Sequence, residues 1–593
     1  MRGLLIAFLL FFVAGAAARA EPVKAKVVWQ PWGNATFERA KREKRFIILN
    51  LHAAWCHWCH VMDATTYSDD RVLAKIDESF IPVLVDQDSD PELSYRYEQF
   101  GWPATVMFDG DGNEVLVRRG YVDPDTFLEL LRIVIEDPSA LPNLAATPDG
   151  DPDVVQLSEK DRATLKRLYF ELYDGENGGF GRIHRFIQTD ALEWALENGR
   201  HGSGRYGEVW QRTLANARHL IDPEWGGMYQ YSDQLDWLSP HFEKIMNIQL
   251  AAIRVYTLAH LQTGEHRWLT AARDVHRWLE QHMRSEDGAF YTSQDADLSL
   301  EVDGKRYFAL PDAERRALGR PTIDKARYAR ENGWIIQALA HLADATGEER
   351  YLDQALQAAG WVIANRQTPA GGFGHGAAEE SQSYLADNLA MAEAFLALYR
   401  TTGARDWLRR AERSGHYIAR HFMGETSGFI VRKPPADARG ALKTPVRQID
   451  ENVAATRFFN LLWRYTGDAA FRRMNEHGLS FLVAYAGYEI FMPGLELAER
   501  EARFEPAHIT IVGRKDDPAA RALFEKARQY PTRYLRLDWW DRHEGPLPNP
   551  DVSYPELDRA AAFACANGIC SLPVFESAEL FQAVRRVEPD HGS

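Results

Sequence analysis

The chain has 593 residues, is 45% hydrophobic and 26% charged, and carries a formal net charge of -16. That length exceeds what one hydrophobic core organises, so two or three domains are expected. The acidic balance argues against nucleic acid or an anionic membrane surface as partner, and four cysteines are too few for a disulfide-stapled scaffold.

Met1-Arg2-Gly3, the apolar run from Leu4 to Val13 and the ending Ala18-Arg19-Ala20 have the layout of a secretory signal peptide. The run is shorter than the ~20 residues a membrane span needs. Cleavage after Ala20, no stable membrane anchor afterwards, and a periplasmic or secreted location are therefore expected. In such compartments thiols tend to be oxidised.

Phe46 to Leu51 reads as a buried strand, and Cys56 follows within a turn. From Cys59 to Ile76 the residues Val61, Met62, Val72, Leu73 and Ile76 keep helical spacing. Phe80 to Val85 is a second strand, trailed by Asp86-Gln87-Asp88, and Glu92 to Phe100 is a short helix. Pro103 opens a strand that runs to Phe108. Asp109 to Asn113 signals a hairpin, Glu114 to Arg118 pairs back, and Thr126 to Ile135 is a closing helix.

Trp55-Cys56-His57-Trp58-Cys59-His60 is the densest reactive chemistry. It supports four readings: a redox dithiol, a C-x-x-C-H haem attachment site, a metal site shared with His52 and His60, or an inert disulfide. Its place at a strand-to-helix junction favours the dithiol. A thiolate at a helix start is stabilised by the helix dipole and by neighbouring imidazolium.

The order of these elements resembles the thioredoxin fold over about Val27 to Glu136. The resemblance implies Cys56 as attacking thiol, Cys59 as resolving thiol and Pro103 as a cis-proline facing them, with His57 and His60 stabilising the thiolate. Thioredoxins carry a buried Asp on the strand before the motif, where this chain has Asn50. His57, His60 or water is expected to take over the proton of Cys59.

From about Val155 to Glu499 long amphipathic helices dominate. Thr-Gly pairs at Thr263-Gly264, Thr346-Gly347, Thr402-Gly403 and Thr466-Gly467 alternate with Gly-aromatic loops at Gly179-Phe180, Gly227-Met228-Tyr229, Ala289-Phe290, Gly372-Phe373 and Gly428-Phe429. This punctuation predicts helical hairpins that must close into a ring or solenoid to bury their apolar faces. Closure into about six hairpins fits best. Asp233, His241, Glu243, Asp295, Asp297 and Asp387 fall beside the loops and are candidates for a pocket in the ring. Paired carboxylates there suit acid–base work on sugars, although Asp near Gly loops also caps helices.

Cys56 to Met62, Gly101-Trp102-Pro103, Pro240-His241-Phe242-Glu243-Lys244 and Gln294-Asp295-Ala296-Asp297 together resemble the thioredoxin-domain family related to spermatogenesis-associated protein 20. The resemblance implies an α/β thioredoxin-like domain (22–140) behind the leader (1–20). An all-α six-hairpin (α/α) toroid (155–500), similar to N-acylglucosamine 2-epimerases and six-hairpin glycosidases, and a small C-terminal α/β segment (505–590) follow. The chain departs from the family pattern at Asn388, Asp303 and Ile187. In the last segment Cys565 and Cys570 are expected to form a structural disulfide, and exchange with Cys56/Cys59 is the sharper hypothesis.

The expected function is thiol–disulfide oxidoreduction through Cys56/Cys59 with no cofactor or metal. Its partners would be protein thiol or disulfide clients or a recycling partner, and the toroid would hold a client or a carbohydrate. The alternatives are a carbohydrate-active epimerase, isomerase or hydrolase using the toroid residues, and a non-catalytic binding scaffold.

Overall fold

The computed structural model describes residues 26–142, 147–200, 204–377, 382–566 and 568–587, and the expected signal peptide lies outside them. Among the described residues no helix is long and apolar enough to cross a membrane.

The N-terminal module runs α1 (Asn34–Glu43), β1 (Phe46–His52), α2 (His57–Thr65), α3 (Asp70–Ser79), β2 (Phe80–Asp86), α4 (Pro91–Tyr97), β3 (Ala104–Phe108), β4 (Glu114–Arg119) and α5 (Pro124–Glu136). Its sheet order is β2-β1-β3-β4, with β1 parallel to β2 and antiparallel to β3. The single helix expected through Ile76 is two helices. The Asp69 carboxylate accepts from Arg71 N–H and Val72 N–H and so starts α3 afresh. The Trp102–Pro103 peptide is cis, as expected.

The ring consists of α6 (Glu159–Leu172), α7 (Thr189–Asn198), α8 (Gly204–Ala217), α9 (Met246–Thr263), α10 (His266–Trp278), the short α11 (Gly304–Phe308) and α12 (Asp312–Leu318), then α13 (Ala329–Thr346), α14 (Glu349–Arg366), α15 (Leu385–Thr402), α16 (Arg405–His421), α17 (Ile449–Thr466), α18 (Ala469–Ala484) and α19 (Pro493–Arg503). Helices α7, α9, α13, α15, α17 and α19 pack each on the next, and α19 returns to α7. The outer helices lie behind them, and α6 packs on α19, so the first and last helices join to close the toroid.

Both punctuation signals have a mechanism. Gly264, Gly347, Gly403 and Gly467 are left-handed caps with φ of 66–72°, a conformation that glycine adopts without cost. They end α9, α13, α15 and α17 at one mouth of the ring. The Gly-aromatic loops lie at the other mouth, just ahead of the inner helices. There Asn332, Asn388 and Asn452, each in the first turn of an inner helix, clamp both the N–H and the C=O of Phe290, Phe373 and Phe429. Gln249 does the same for Met228. Asn388 is therefore a structural clamp. Arg185 is buried too, donating to the Phe180 and Gly181 carbonyls and pairing with Asp174, and Asp303 caps α11.

The two long loops of that mouth carry the paired strands β5 (Tyr231–Ser232) and β6 (Pro240–His241), and a three-stranded patch of β7 (Lys244–Ile245), β8 (Ser293–Gln294) and β9 (Ile323–Asp324). The C-terminal segment contains β10 (Ala507–Val512), α20 (Pro518–Arg528), β11 (Leu535–Trp540), β12 (Ala561–Ala566), β13 (Ile569–Cys570) and α21 (Leu580–Val587). Its order β11-β10-β12-β13, with β10 parallel to β11 and antiparallel to β12, repeats the topology of the N-terminal sheet. The small appendage is thus a second module of the same topology, with Gly513 to Pro518 where the first has its cysteines.

This second module closes the Thr-Gly mouth. Tyr399 hydroxyl donates to Asp538, Leu537 N–H donates to Tyr465, and Lys515 donates to the Gly403 carbonyl. The first module closes the opposite mouth. Inner helices of 18 residues separate the two by about 27 Å. Cys565 and Cys570 pair across β12 and β13 in their own disulfide. The two pairs thus belong to modules at opposite mouths of the ring.

A buried charge cluster anchors the loop that carries β7. Lys244 and Arg315 both bind Asp222, at 2.9 and 2.8 Å, and all three side chains are fully buried. Replacing Asp222 by Asn strands two cations away from water. We expect Asp222→Asn to cost about 3–5 kcal/mol in the first urea-unfolding transition followed by tryptophan fluorescence. A loss below about 1 kcal/mol would contradict this reading of the cluster.

Candidate active site

β1 delivers the motif to the start of α2, and Cys56 caps that helix: its Sγ accepts the Cys59 N–H at 3.2 Å. Cys56 and Cys59 are joined as a disulfide. Asp86 and Asp88 fix the approach, with Ala54 N–H donating to Asp86 and Trp55 Nε1–H donating to Asp88. Asn50 lies beneath on β1, buried, and its Oδ1 accepts no hydrogen bond.

The disulfide does not face open solvent. Cys56 is 4% exposed and Cys59 1%. Ile245 of β7 packs against the cluster of Ala53, Trp55 and both cysteines. Behind it the 293–297 segment crosses the motif, and Ala296 N–H donates to the Trp55 carbonyl at 3.2 Å.

That segment brings Asp295 and Asp297 onto the two motif histidines. His57 Nδ1 lies 2.5 Å from Asp297, and His60 Nδ1 3.7 Å from Asp295. The Asp297 carboxylate holds His57 above its ordinary pKa. Burial pulls His60 below its ordinary value and His52 down to about 4. Burial, reinforced by repulsion from Asp297 and Glu243, pushes Asp295 up to about 7. Near neutrality Asp295 is thus poised to give or take a proton beside the dithiol.

Ligand atoms of His60, Asp295 and Asp297 come within 4.8 Å of one another. Hydrogen bonds already occupy much of this group: Asp297 accepts from Gly304 N–H and faces His57, and Asp295 accepts from Asp297 N–H.

The other sequence candidates separate. Glu243 is buried, 3.7 Å from Nδ1 of His241, and its charge acts on both His57 and Asp295. Against burial, Glu243 and Asp233 hold His241 above its ordinary value. Asp233 is the outer member of this chain, 2.8 Å from His241. Asp387 serves a different joint. It accepts from Arg330 N–H and pairs with His375, whose other ring nitrogen lies 2.6 Å from the Asp88 carbonyl. Both His375 nitrogens face acceptors, so the ring is a cationic pin between toroid and module.

None of these six residues lines the central cavity of the toroid. The expectation of a ring pocket built from them is corrected: they converge on the dithiol or on the joint beside it. Sequence reasoning missed Ile245, Asp86 and Asp88. The Asp-Gln-Asp at the end of β2 was the available signal for the last two.

Residues 19–134 match a family profile, Thioredox_DsbH, described as a protein of unknown function, DUF255. Spermatogenesis-associated protein 20 of Mus musculus is 27% identical over 307 residues, 46% of this chain and 39% of that protein. Thiol:disulfide interchange protein DsbD of Ralstonia nicotianae is 32% identical over 140 residues, 22% of this chain and 23% of that protein. The matches thus span less than half of either relative. A solved cellobiose 2-epimerase from Bacillus thermoamylovorans is 12% identical with a TM-score of 0.42, covering 54% of this chain and 85% of that one. The chain is similar over part of its length to spermatogenesis-associated protein 20 and carries a thioredoxin-like module at its N-terminus, where it matches the DUF255 profile.

Proposed function

We propose that this protein is a thiol–disulfide oxidoreductase whose dithiol works at the junction of module and toroid, the toroid supplying acid–base groups. The observation that carries this reading is the cap geometry of Cys56 on α2 with the His57–Asp297 pair beside it. The cis-Pro103 and the similarity to a thiol:disulfide interchange protein support it. The leader-like N-terminus supports a site of action outside the cytoplasm, where such exchange is useful.

In the reducing direction the Cys56 thiolate attacks one sulfur of a client disulfide. The client S–S bond breaks, a mixed disulfide forms, and the departing client thiolate takes a proton. Cys59 then loses its proton and attacks Cys56 Sγ. The mixed disulfide breaks and the second client thiolate is protonated. Two electrons and two protons have passed to the client, and the Cys56–Cys59 disulfide has formed. The reverse sequence donates a disulfide.

The Asn50 amide does not take up a proton near neutral pH. That work passes to Asp295 through His60, which is 3.7 Å from it. His57, whose proton Asp297 holds more tightly, stabilises the Cys56 thiolate when protonated. Access of a protein client to Cys56 requires the 293–297 segment to lift from the motif.

Two outcomes are expected. The reduced protein reduces insulin disulfides, and Cys56→Ser abolishes this; activity surviving the substitution would refute the assignment. In Asp297→Asn, His57 loses its proton at lower pH than in the wild type, so the thiolate loses its counter-charge and the Cys56 pKa rises. Iodoacetamide alkylation of the reduced protein at about pH 6.5 should slow several-fold. A pH profile of alkylation superimposable on wild type would contradict the role of the pair.

A further inference from the structure

The central cavity of the ring is unused by the dithiol chemistry. It measures about 690 Å³, within the range of small-molecule sites. Tyr95 and Glu98 of the first module bound it at one end, and Arg533 and Tyr534 of the second at the other. Phe186 and Asn247 line it and are also exposed, which marks its opening.

We propose that the end of this chamber toward the second module binds a small organic monocarboxylate, with Arg533 receiving the carboxylate and the apolar wall of the ring taking the rest of the molecule. Arg533 lies just ahead of β11 and is 8% exposed. Its Nη2 donates to the Arg254 carbonyl and to the Thr257 hydroxyl, both at 2.6 Å. Its Nε is buried and has no hydrogen-bond partner. A guanidinium kept from water without a counter-charge is a costly arrangement in a protein interior.

The other guanidiniums of the cavity are matched. Arg254 pairs with Glu193, Arg400 with Asp344, and Arg457 with Glu193 and Glu501. Among the described residues that line the cavity, Arg533 is the one cation without a carboxylate inside ion-pair distance. His341 shows that the arginines share one end. Its Nδ1 accepts from Arg400, so its proton sits on Nε2 and the ring is neutral. Burial, then repulsion from Arg533, Arg400 and Arg254, holds it well below its ordinary pKa. Burial and the same crowding by Arg400 and Arg254 pull Arg533 down to about 9, against the attraction of Glu193 and Asp344. An anion placed there relieves both.

The wall selects the kind of anion. One unpaired guanidinium calls for one negative charge, and its planar fork suits a carboxylate. The carboxyls Glu98 and Glu451 act on Tyr95, at the end toward the first module, so an anion is directed to the opposite end. Glu393, also on the wall, answers to Arg254 and Arg457. Trp334, Leu389 and Phe458 offer apolar surface for the body of the ligand. A neutral molecule would leave Arg533 unmatched, and inorganic phosphate would leave that surface uncovered.

The test is isothermal titration of the full chain with phenylacetate, octanoate, phenylacetamide and inorganic phosphate. Saturable binding of at least one of the two carboxylates is expected, with the neutral amide weaker than phenylacetate by about tenfold or more. Arg533→Gln should weaken carboxylate binding by a similar factor. Its amide can still donate to Thr257, and it removes an unpaired buried charge, so the melting temperature of the unliganded variant should stay close to wild type. The comparison of acid with amide is made on the wild type and holds even if the variant does not fold. Absence of saturable carboxylate binding overturns the proposal. So does phenylacetamide binding as tightly as phenylacetate, phosphate binding as tightly as the carboxylates, or carboxylate binding undiminished in a folded Arg533→Gln.

Discussion

Seating the Cys56–Cys59 face on the toroid mouth forces a disulfide, two imidazoles and three carboxyls into one water-poor space. Each charge brought there loses hydration and must find a partner. His57 finds Asp297, and His60 faces Asp295. Asp295, buried and further crowded by Asp297 and Glu243, responds by holding its proton more tightly. The acid–base character of the site is therefore a product of the joint. Neither the module nor the ring would have it alone.

The ring makes that joint precise. Five of the six inner helices begin beneath a Gly-aromatic loop, and the Asn and Gln clamps tie four of those loops to the helix below through paired hydrogen bonds. The two longest loops are free to grow outward because the clamps hold their roots. They carry Glu243, Ile245, Asp295 and Asp297 onto the motif. Around them the cationic pin of His375 and the pairing of Arg432 with Glu92 secure the module at its edge. Two modules of one topology thus close the two mouths, and only the first carries a CxxC at the turn between its first strand and the helix that follows.

Much of this was legible in the chain. A CxxC between strand and helix, a proline at the start of β3, and the alternation of Thr-Gly with Gly-aromatic pairs depend on local backbone demands, which sequence expresses directly. The destination of the acidic loop residues was not legible. Whether a loop at a ring mouth turns into the cavity or outward to a neighbour is decided by tertiary contacts such as Ala296 with Trp55. The second module was hidden because β13 has only two residues and no cysteine pair stands at the start of α20.

The most direct measurement of the account is the reduction potential of Cys56–Cys59 in the full chain, equilibrated against defined thiol–disulfide buffers. An exchanging dithiol predicts a value between about -270 and -120 mV, the span of thioredoxin-fold enzymes that pass disulfides. A value well below about -300 mV would mark an inert structural bond and contradict the account.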